Sequence, residues 1–231
     1  MRVRRRYPSI GILWQSRSMS HVIRPASTRD AGFVAWVMQE AARSHLPRGF
    51  WDLAFPGPDA DRLRIIERVA GARPRSFCHW SGFLVLEVDG APVAGLSGYE
   101  SPSVSAGTAF VAAVGEALAA EAWTAEQAEA MRQRVAPFLT CLPETPEEAW
   151  VVEWVATRPE HRGRGYVRAL LHDILARGLE RGHTLAQITV LIDNIAAQRA
   201  YEGVGFRVAD EKRDPTFEAA VGSPGIRRLL R

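Results

Sequence analysis

The stretch that decides the fold is "TRPEHRGRGYVRALL", residues 157–171. β-Branched and aromatic residues from Ala149 to Thr157 predict a strand, and the apolar spacing after Gly165 predicts a helix to about Arg181. A glycine-rich turn that connects a strand to a helix leaves several backbone N–H groups unpaired at the positive end of the helix dipole. The pattern therefore indicates an anion site, with phosphate as the natural ligand.

The side chains of this turn favour phosphate in two ways. Gly163 and Gly165 lack the β-carbon that would keep a diphosphate away from backbone donors. Arg162, Arg164 and Arg168 can add charge-assisted hydrogen bonds. A plain glycine turn in front of an amphipathic helix is the other interpretation. Two better-known phosphate signatures do not match, since the turn lacks a Gly-Lys-Ser/Thr ending and has Arg168 where the dinucleotide fingerprint needs its third glycine.

Composition indicates a globular chain of 231 residues, with 47% apolar and 24% charged residues. The formal net charge of +3 is concentrated at the start, because residues 1–18 hold five arginines and no acid. Residues 19–231 carry a net charge of about −2, which argues against a nucleic-acid partner. We predict a basic, disordered extension over 1–18, although an organelle transit peptide has a similar composition, and one domain over 19–231 with a helical insertion at about 101–146.

The location of the protein is predicted from the apolar runs and the cysteines. No apolar run of 18 residues occurs, so we expect no transmembrane helix and no membrane partner. Cys78 and Cys141 match no metal-ligand spacing, and two cysteines do not make a disulfide framework. We therefore expect a cytoplasmic protein without a metal cofactor.

The rest of the chain alternates strand and helix patterns, which predicts an α/β domain of the layered α+β kind. Strands are predicted at 21–27, on both sides of Asp89-Gly90, at 149–157, at 185–192 and at 206–210, with a possible last strand within 222–231. Helices are predicted at about 28–43, 58–72, 165–181 and 194–204. Two more helices are expected within 101–146, where Thr124 and Gln127 have the spacing of a capping box.

Two segments carry a resemblance to a known family. "RGRGYV", residues 162–167, resembles the Arg-x-x-Gly-x-Gly/Ala segment of the GNAT (Gcn5-related) N-acetyltransferases. "DNIAAQRAYEGVGF", residues 193–206, is similar to that family's Asn-x-x-Ala-x-x-x-Tyr-x-x-x-Gly-Phe helix. The resemblance extends over residues 21 to about 210, apart from the insertion. It implies a mixed, mostly antiparallel central sheet flanked by helices, with strands 4 and 5 splayed around acetyl-CoA.

The resemblance also implies a cofactor site. Backbone groups of Val155 and Thr157 on strand 4 would pair with the pantetheine arm. The pyrophosphate would lie on the turn that comprises Arg162, Gly163, Arg164, Gly165, Val167 and Arg168. Val167 departs from the family, which has Gly or Ala there, so its branched side chain puts the affinity and pose of the cofactor in question. Asn194 is either a helix N-cap or a direct cofactor contact.

Two catalytic residues are predicted, Tyr201 and Glu153. The resemblance implies that the Tyr201 hydroxyl faces the departing sulfur of CoA and protonates it. Period-two geometry puts Glu153, Val155 and Thr157 on one strand face, so we predict that Glu153 is the general base along the same groove. A partly exposed strand residue without a catalytic role is the other interpretation, and Glu100 and Glu148 are the alternative bases.

The acceptor is predicted to be a primary amine of a small molecule or peptide, attacking acetyl-CoA directly in a ternary complex. Trp51, Asp52 and Phe55 could form an aromatic pocket with one acid for a cationic amine, or they could belong to the core. The alternative function is a non-catalytic acyl-CoA-binding or regulatory domain, which the branched side chain of Val167 suggests. A homodimer is possible, since dimers are common in the family.

Overall fold

A computed structural model describes residues 21–101 and 104–231, so the predicted extension over 1–18 lies outside the described residues. Within these ranges seven strands form one sheet in the order β1-β2-β3-β4-β5-β7-β6. The strands are β1 His21–Pro25, β2 Phe83–Val88, β3 Ala91–Glu100, β4 Ala149–Thr157, β5 Leu185–Leu191, β6 Arg207–Arg213 and β7 Gly225–Leu230. Neighbours are antiparallel except for β4 and β5, which are parallel. The predicted fold class, a mixed and mostly antiparallel sheet, is confirmed.

The helices cover both faces of the sheet. They are α1 Ala31–Arg43, α2 Phe50–Ala54, α3 Asp59–Ala70, α4 Val104–Ala120, α5 Ala125–Leu139, α6 Tyr166–Glu180, α7 Ile195–Glu202 and α8 Pro215–Val221. Alternation along β2 divides the core, because Phe83 and Val85 pack with α1 and α3, whereas Leu84 and Leu86 pack with α6. None of the helices in the described ranges is long and apolar enough to cross a bilayer.

Local signals in the sequence account for several element boundaries. Asp89 and Gly90 both have positive φ, +51° and +81°, as a tight two-residue hairpin between β2 and β3 requires. Thr124 and Gln127 form the predicted capping box at the start of α5, with the Gln127 N–H donating to Thr124 Oγ1 at 3.2 Å and the Thr124 N–H to Gln127 Oε1 at 2.8 Å. The hairpin and the two helices of the insertion are therefore confirmed.

The sheet opens between β4 and β5. The first pair between these strands is Ala149 with Leu185, and the last is Val152 with Ile188. The last five residues of β4, 153–157, do not pair with β5. β4 itself stays paired with β3 to its end, where Thr157 lies opposite Ala94. The result is a gap beside residues 153–157, so the predicted splay of strands 4 and 5 is confirmed.

Two short helices, α2 and α8, were not predicted. Both contact α5 of the insertion, which bridges the opening between β4 and β5. α2 follows α1, and α8 lies between β6 and β7. Phe138 of α5 has its ring centroid 5.2 Å from that of Phe50 in α2 and 5.3 Å from that of Phe217 in α8. The insertion therefore connects the two halves of the splayed sheet.

Candidate active site

Both glycines of the turn before α6 have a left-handed backbone. The φ angle is +74° at Gly163 and +79° at Gly165, which directly precedes the helix. A β-carbon built at either glycine would meet no other atom within 4 Å. Glycine is therefore required by the backbone conformation, and the space above the turn is open.

The turn presents a continuous row of unpaired backbone donors. In the part of the chain that the structure describes, the N–H groups of residues 163–168 have no backbone or side-chain acceptor. The next N–H, that of Ala169, donates to the Gly165 carbonyl oxygen at 3.1 Å. Six successive donors at the positive end of a helix dipole can bind an anion, and phosphate binding at this turn stays a prediction.

The three arginines of the turn differ in their contacts. Arg162 Nε donates to the Thr157 carbonyl oxygen at 3.2 Å and so ties the turn to β4. Arg164 Nη2 donates to the Glu160 carbonyl oxygen at 3.2 Å. Arg168 is exposed and, together with Arg164, lines a cleft of about 590 Å³ beside the turn. The positive charge of both side chains suits an anionic ligand in this cleft.

Two histidines complete the basic lining of that cleft. His21, at the start of β1, and His172, on the second turn of α6, both contact it. The ring of His21 lies 5.6 Å from the ring of Tyr166, the buried first residue of α6. The cleft is consequently bounded by the edge of the sheet as well as by the glycine turn.

Val167 does not obstruct the row of donors through its own packing. Its side chain is partly buried against the α6 core cluster, together with Val155, Ala197 and Ala200. These four small apolar side chains come from β4, α6 and α7, the elements that border the opening. The structure therefore accounts for a valine at a position where the family has Gly or Ala.

The backbone of β4 offers further unpaired groups to the opening. The Arg158 N–H donates to the Val93 carbonyl oxygen at 2.8 Å, which directs the polar groups of Arg158 and Ala156 toward β3. Hydrogen bonds alternate along an antiparallel pair, so the backbone N–H and C=O groups of Val155 and Thr157 point away from β3. They point to the edge of β4 that does not pair with β5. Thr157 Oγ1 is also buried without a hydrogen-bond partner in the described residues. Val155 and Thr157 therefore present their backbone groups to the opening, and their contact with pantetheine stays a prediction.

A β-bulge interrupts β4 at this point. Ser97 of β3 lies opposite Glu153, and Gly95 lies opposite Ala156. Between these two pairs β3 has one residue and β4 has two, which is the pattern of a bulge. Trp154, one of the two, has a φ of +55°, which is unusual for a tryptophan. The bulge resets the alternation of side chains along the strand.

The prediction that Glu153, Val155 and Thr157 share one face is therefore wrong. Val155 packs in the α6 cluster, whereas Trp154 packs against the core cluster on the α1 side, and Glu153 lies on that same side next to the buried Cys78. Trp150 and Trp154, which strict alternation puts together, lie on opposite faces. The bulge is the reason, since two consecutive residues take the same face of the strand.

Glu153 is the first residue of β4 beside the opening. The residue as a whole is partly buried, and burial of the carboxyl raises its pKa to about 7, while a hydrogen bond with Tyr99 acts in the opposite direction. Burial also raises the pKa values of the Tyr99 hydroxyl and the Cys78 thiol, and the charge of Glu153 adds to both shifts. A carboxyl with a pKa near 7 can accept a proton at neutral pH.

Tyr201 lies on the other side of the opening. It is 6% exposed and belongs to the α6 cluster, which also contains Val155 and Val167. Its hydroxyl has no hydrogen-bond partner among the described residues, and burial raises the pKa of this hydroxyl. The phenol is therefore protonated at neutral pH and retains a free donor.

Asn194 has the role of a helix cap. Its Oδ1 accepts from the Ala197 N–H at 3.1 Å at the start of α7, and its Nδ2 donates to Ser44 Oγ at 2.5 Å. Ser44 follows the last residue of α1. Asn194 thus ties the end of β5 to the helix on the opposite side of the opening, and a direct cofactor contact stays a prediction.

The predicted acceptor residues belong to the core. Trp51 and Phe55 are 1% and 2% exposed. Asp52 accepts from Arg43 Nη2 at 2.7 Å and lies 3.1 Å from Arg62 Nη1, so its charge is already compensated. The core interpretation of these three residues is therefore the correct one.

The alternative bases lie outside the opening. The side chain of Glu100 is 67% exposed and its Oε1 lies 4.0 Å from His183 Nε2. Glu148 is exposed before the start of β4. Neither approaches the group that includes Glu153, Tyr99 and Cys78, which leaves Glu153 as the candidate base.

Sequence reasoning missed the residues that surround Glu153. Tyr99 is on β3, Phe77 and Cys78 precede β2, and Phe110 is in the insertion. The only available signal was the alternation along β3, which puts Tyr99 on the same face as Ser97, the partner of Glu153. The other three come from parts of the chain without a local pattern that indicates the site.

A splayed sheet with a glycine turn at its opening agrees with the class of acyltransferase that the two sequence motifs resemble. The chain belongs to the acetyltransferase (GNAT) family, whose sequence profile matches residues 51–206, more than half of the chain. No curated protein is detectably similar in sequence.

Solved structures agree with this assignment at the level of the fold. A crystal structure described as an acetyltransferase is 15% identical and superimposes with a TM-score of 0.65, covering 91% of this chain and 98% of its own. An N-acetyltransferase from Staphylococcus aureus Mu50 is 19% identical, with a TM-score of 0.63 and coverages of 91% and 100%. A GCN5-related N-acetyltransferase from Kribbella flavida is 14% identical, with a TM-score of 0.55 and coverages of 91% and 96%.

Proposed function

We propose that the protein is an acetyl-CoA-dependent N-acetyltransferase that acetylates a primary amine of a small molecule or peptide by direct attack in a ternary complex. The observation that carries this proposal is the row of six unpaired N–H groups at residues 163–168, next to the gap between β4 and β5. A diphosphate satisfies such donors, and an extended amide chain fits a gap with unpaired strand groups on its edge.

The residues present fit acetyl-CoA. Gly163 and Gly165 leave the space above the donors open, and the exposed side chains of Arg164 and Arg168 can neutralise phosphate charge. The free backbone groups of Val155 and Thr157 are those that a pantetheine amide would pair with. When it is bound, acetyl-CoA supplies an acetyl group activated as a thioester.

Glu153 is proposed to accept the proton of the acceptor. An amine like that of lysine has a pKa near 10.4 and must lose a proton before it can act as a nucleophile. The pKa of Glu153, about 7, leaves a substantial fraction of carboxylate at neutral pH. The proton can pass directly or through one water molecule.

Tyr201 is proposed to act as the acid. Since burial raises its pKa, the hydroxyl holds its proton at neutral pH, and it has no competing partner among the described residues. A thiol has a reference pKa of about 8.5, so a phenol can donate to a departing thiolate.

The positions of these two residues favour direct transfer. Glu153 belongs to the side of β4 that α1 covers, and Tyr201 belongs to the cluster on the other side. β5 has separated from β4 beside residues 153–157, so the two sides communicate through the gap. An amine held near Glu153 and a thioester near Tyr201 can therefore meet without a covalent enzyme intermediate.

Calorimetric titration with acetyl-CoA tests the cofactor assignment. We expect Gly165→Ala to weaken binding by about tenfold, which corresponds to about 1.4 kcal/mol, because the new methyl group enters the open space above the donors. Gly182→Ala is the matched control, since Gly182 also has a positive φ, +91°, and open space around its absent β-carbon. Both variants lose about 1–2 kcal/mol of stability from left-handed strain.

Equal acetyl-CoA affinities for the two variants, or no binding by the parent protein, would contradict the assignment of the turn. Release of free CoA thiol, measured with a broad panel of primary amines, then tests the transfer reaction. Binding without thiol release from any amine would leave a protein that binds acyl-CoA but does not transfer its acetyl group.

A further inference from the structure

We infer that the acceptor is a primary monoamine carried on a flat aromatic body, held by a wall of stacked rings next to Glu153. This inference rests on the proposed function and identifies the substrate class of the same site. We define the aromatic wall as Phe77, Tyr99, Phe110 and Trp154.

The aromatic wall begins at the candidate base and extends into the insertion. Tyr99, the hydrogen-bond partner of Glu153, stacks on Phe77 with ring centroids 5.6 Å apart and an interplanar angle of 27°. Phe77 stacks in turn on Phe110 of α4, at 4.8 Å and 23°. Trp154 follows Glu153 in the bulge and lies on the same side of β4. Near-parallel rings present a surface on which a further ring can stack.

The residues of the aromatic wall are not fully enclosed. Each of the four side chains of the aromatic wall is only partly buried, as is Glu153 itself. Trp51, against which Trp154 packs with ring centroids 5.8 Å apart, is by contrast 1% exposed and belongs to the core. The wall is therefore the accessible edge of the core, adjacent to the group that accepts the proton.

The indole of Trp154 supplies a second and independent observation. Its Nε1 atom is buried and has no acceptor within the described ranges. Trp51 Nε1 is in the same condition. A buried donor without a partner is costly, and a ligand or water oxygen at the wall would satisfy it. Trp51 lies in the core, so the donor that a ligand at the wall can reach is that of Trp154, which directly follows Glu153 in the bulge.

The charges around the wall favour a monoamine over a polyamine. Asp52 and Asp59 of the neighbouring helices both pair with Arg43, at 2.7 and 2.6 Å. Glu121, which follows α4, pairs with Arg64 and Arg68 at 3.0 and 2.6 Å. Carboxylates that are already paired with arginine offer little to additional ammonium groups. These three carboxylates are therefore compensated, and Glu153 is the acid that adjoins the wall through Tyr99.

The experiment compares three acceptors of different chemistry by CoA thiol release: 2-phenylethylamine, n-hexylamine and spermidine. We expect kcat/KM for 2-phenylethylamine to exceed that for the other two by about tenfold, the scale of one ring-stacking contact. Phe110→Ala should reduce this preference to about twofold while the KM for acetyl-CoA stays unchanged. If the alanine variant does not fold, Phe110→Leu replaces it. Leucine keeps an apolar side chain but removes the ring, so the preference for 2-phenylethylamine should fall in the same way.

Phe138→Ala is the matched control, because Phe138 is the corresponding ring on the other helix of the insertion and packs on Phe50 and Phe217 instead of the wall. It should retain the preference. Equal rates for the aromatic and aliphatic amines, faster acetylation of spermidine, or no reaction with any amine would overturn the inference. Calorimetry with acetyl-CoA and the broad amine panel separate the two levels. Intact cofactor binding with turnover of another amine refutes the substrate class alone, whereas absent binding, or no thiol release from any amine of the panel, refutes the proposed function as well.

Discussion

Replacing Glu153 by glutamine is expected to lower kcat by about 100- to 10,000-fold, the usual contribution of a general base. Glutamine keeps the size of the side chain and a hydrogen bond to Tyr99, but it cannot accept the proton of the amine. Steady-state kinetics at saturating acetyl-CoA measures the effect. The KM for acetyl-CoA should stay the same, because Glu153 lies on the side of β4 away from the glycine turn.

The fall of kcat/KM at low pH also tests the role of Glu153 as the general base. Because the pKa of Glu153 is about 7, kcat/KM of the parent protein should fall about tenfold per pH unit below pH 7. Tyr99→Phe removes the hydrogen bond that lowers this pKa, so its acid limb should move to higher pH. In Glu153→Gln the inflection of kcat/KM near pH 7 should disappear. Only the rise of kcat/KM with pH that comes from deprotonation of the substrate ammonium group in solution should remain.

Stability supplies a control that does not depend on activity. The pKa of Glu153 is raised from 4.5 in the unfolded chain to about 7, so the folded protein binds the proton more tightly. Its contribution is favourable below pH 4.5 and is lost as the pH rises through 7. Glu153→Gln should therefore melt at the same or a higher temperature than the parent at pH 8. A parental kcat and acid limb in this folded variant would sink the assignment of Glu153 as the base.

Tyr201→Phe is expected to reduce kcat by about 100-fold. The substitution removes only the hydroxyl, which has no hydrogen-bond partner among the described residues, so the core cluster around it should stay intact. The loss arises because the departing thiolate no longer receives a proton from the protein. Single-turnover measurement of thiol release separates this step from product dissociation.

The control for Tyr201→Phe compares the pH profile and the acetyl-CoA affinity of this variant with those of the parent protein. The acid limb near pH 7 should be retained, because Glu153 is unaffected, and the affinity for acetyl-CoA should be unchanged within about twofold, since the glycine turn is intact. A folded Tyr201→Phe variant with parental kcat would show that the hydroxyl does not protonate the leaving group, and a weakened acetyl-CoA affinity would assign Tyr201 to binding instead.

Prediction from the sequence succeeded where a few neighbouring residues determine the structure. Asp89 and Gly90 specify a hairpin because both have positive φ, and Thr124 with Gln127 specifies a helix start through two reciprocal hydrogen bonds. The same is true of Gly163 and Gly165, whose left-handed backbone shapes the turn before α6. The family followed from such local motifs, and the sequence profile of residues 51–206 confirmed it.

The arrangement around Glu153 depended on contacts between distant parts of the chain. No pattern in "VVEWVAT" reveals that Trp154 takes a left-handed conformation, since the bulge exists only when β4 pairs with β3. That bulge moved Glu153 to the face opposite Val155. The pKa of Glu153 and the stacking of Phe110 over Phe77 likewise require segments that are far apart in sequence to meet.

By itself the sequence determined the family, the order of most elements and the glycine turn before α6, because each depends on backbone preferences of a short segment. Only the tertiary structure decided which side of β4 carries the candidate base and which rings surround it. The physical reason is that side-chain direction past a bulge, and the burial that shifts a carboxyl pKa, are properties of packed strands and helices rather than of any one segment.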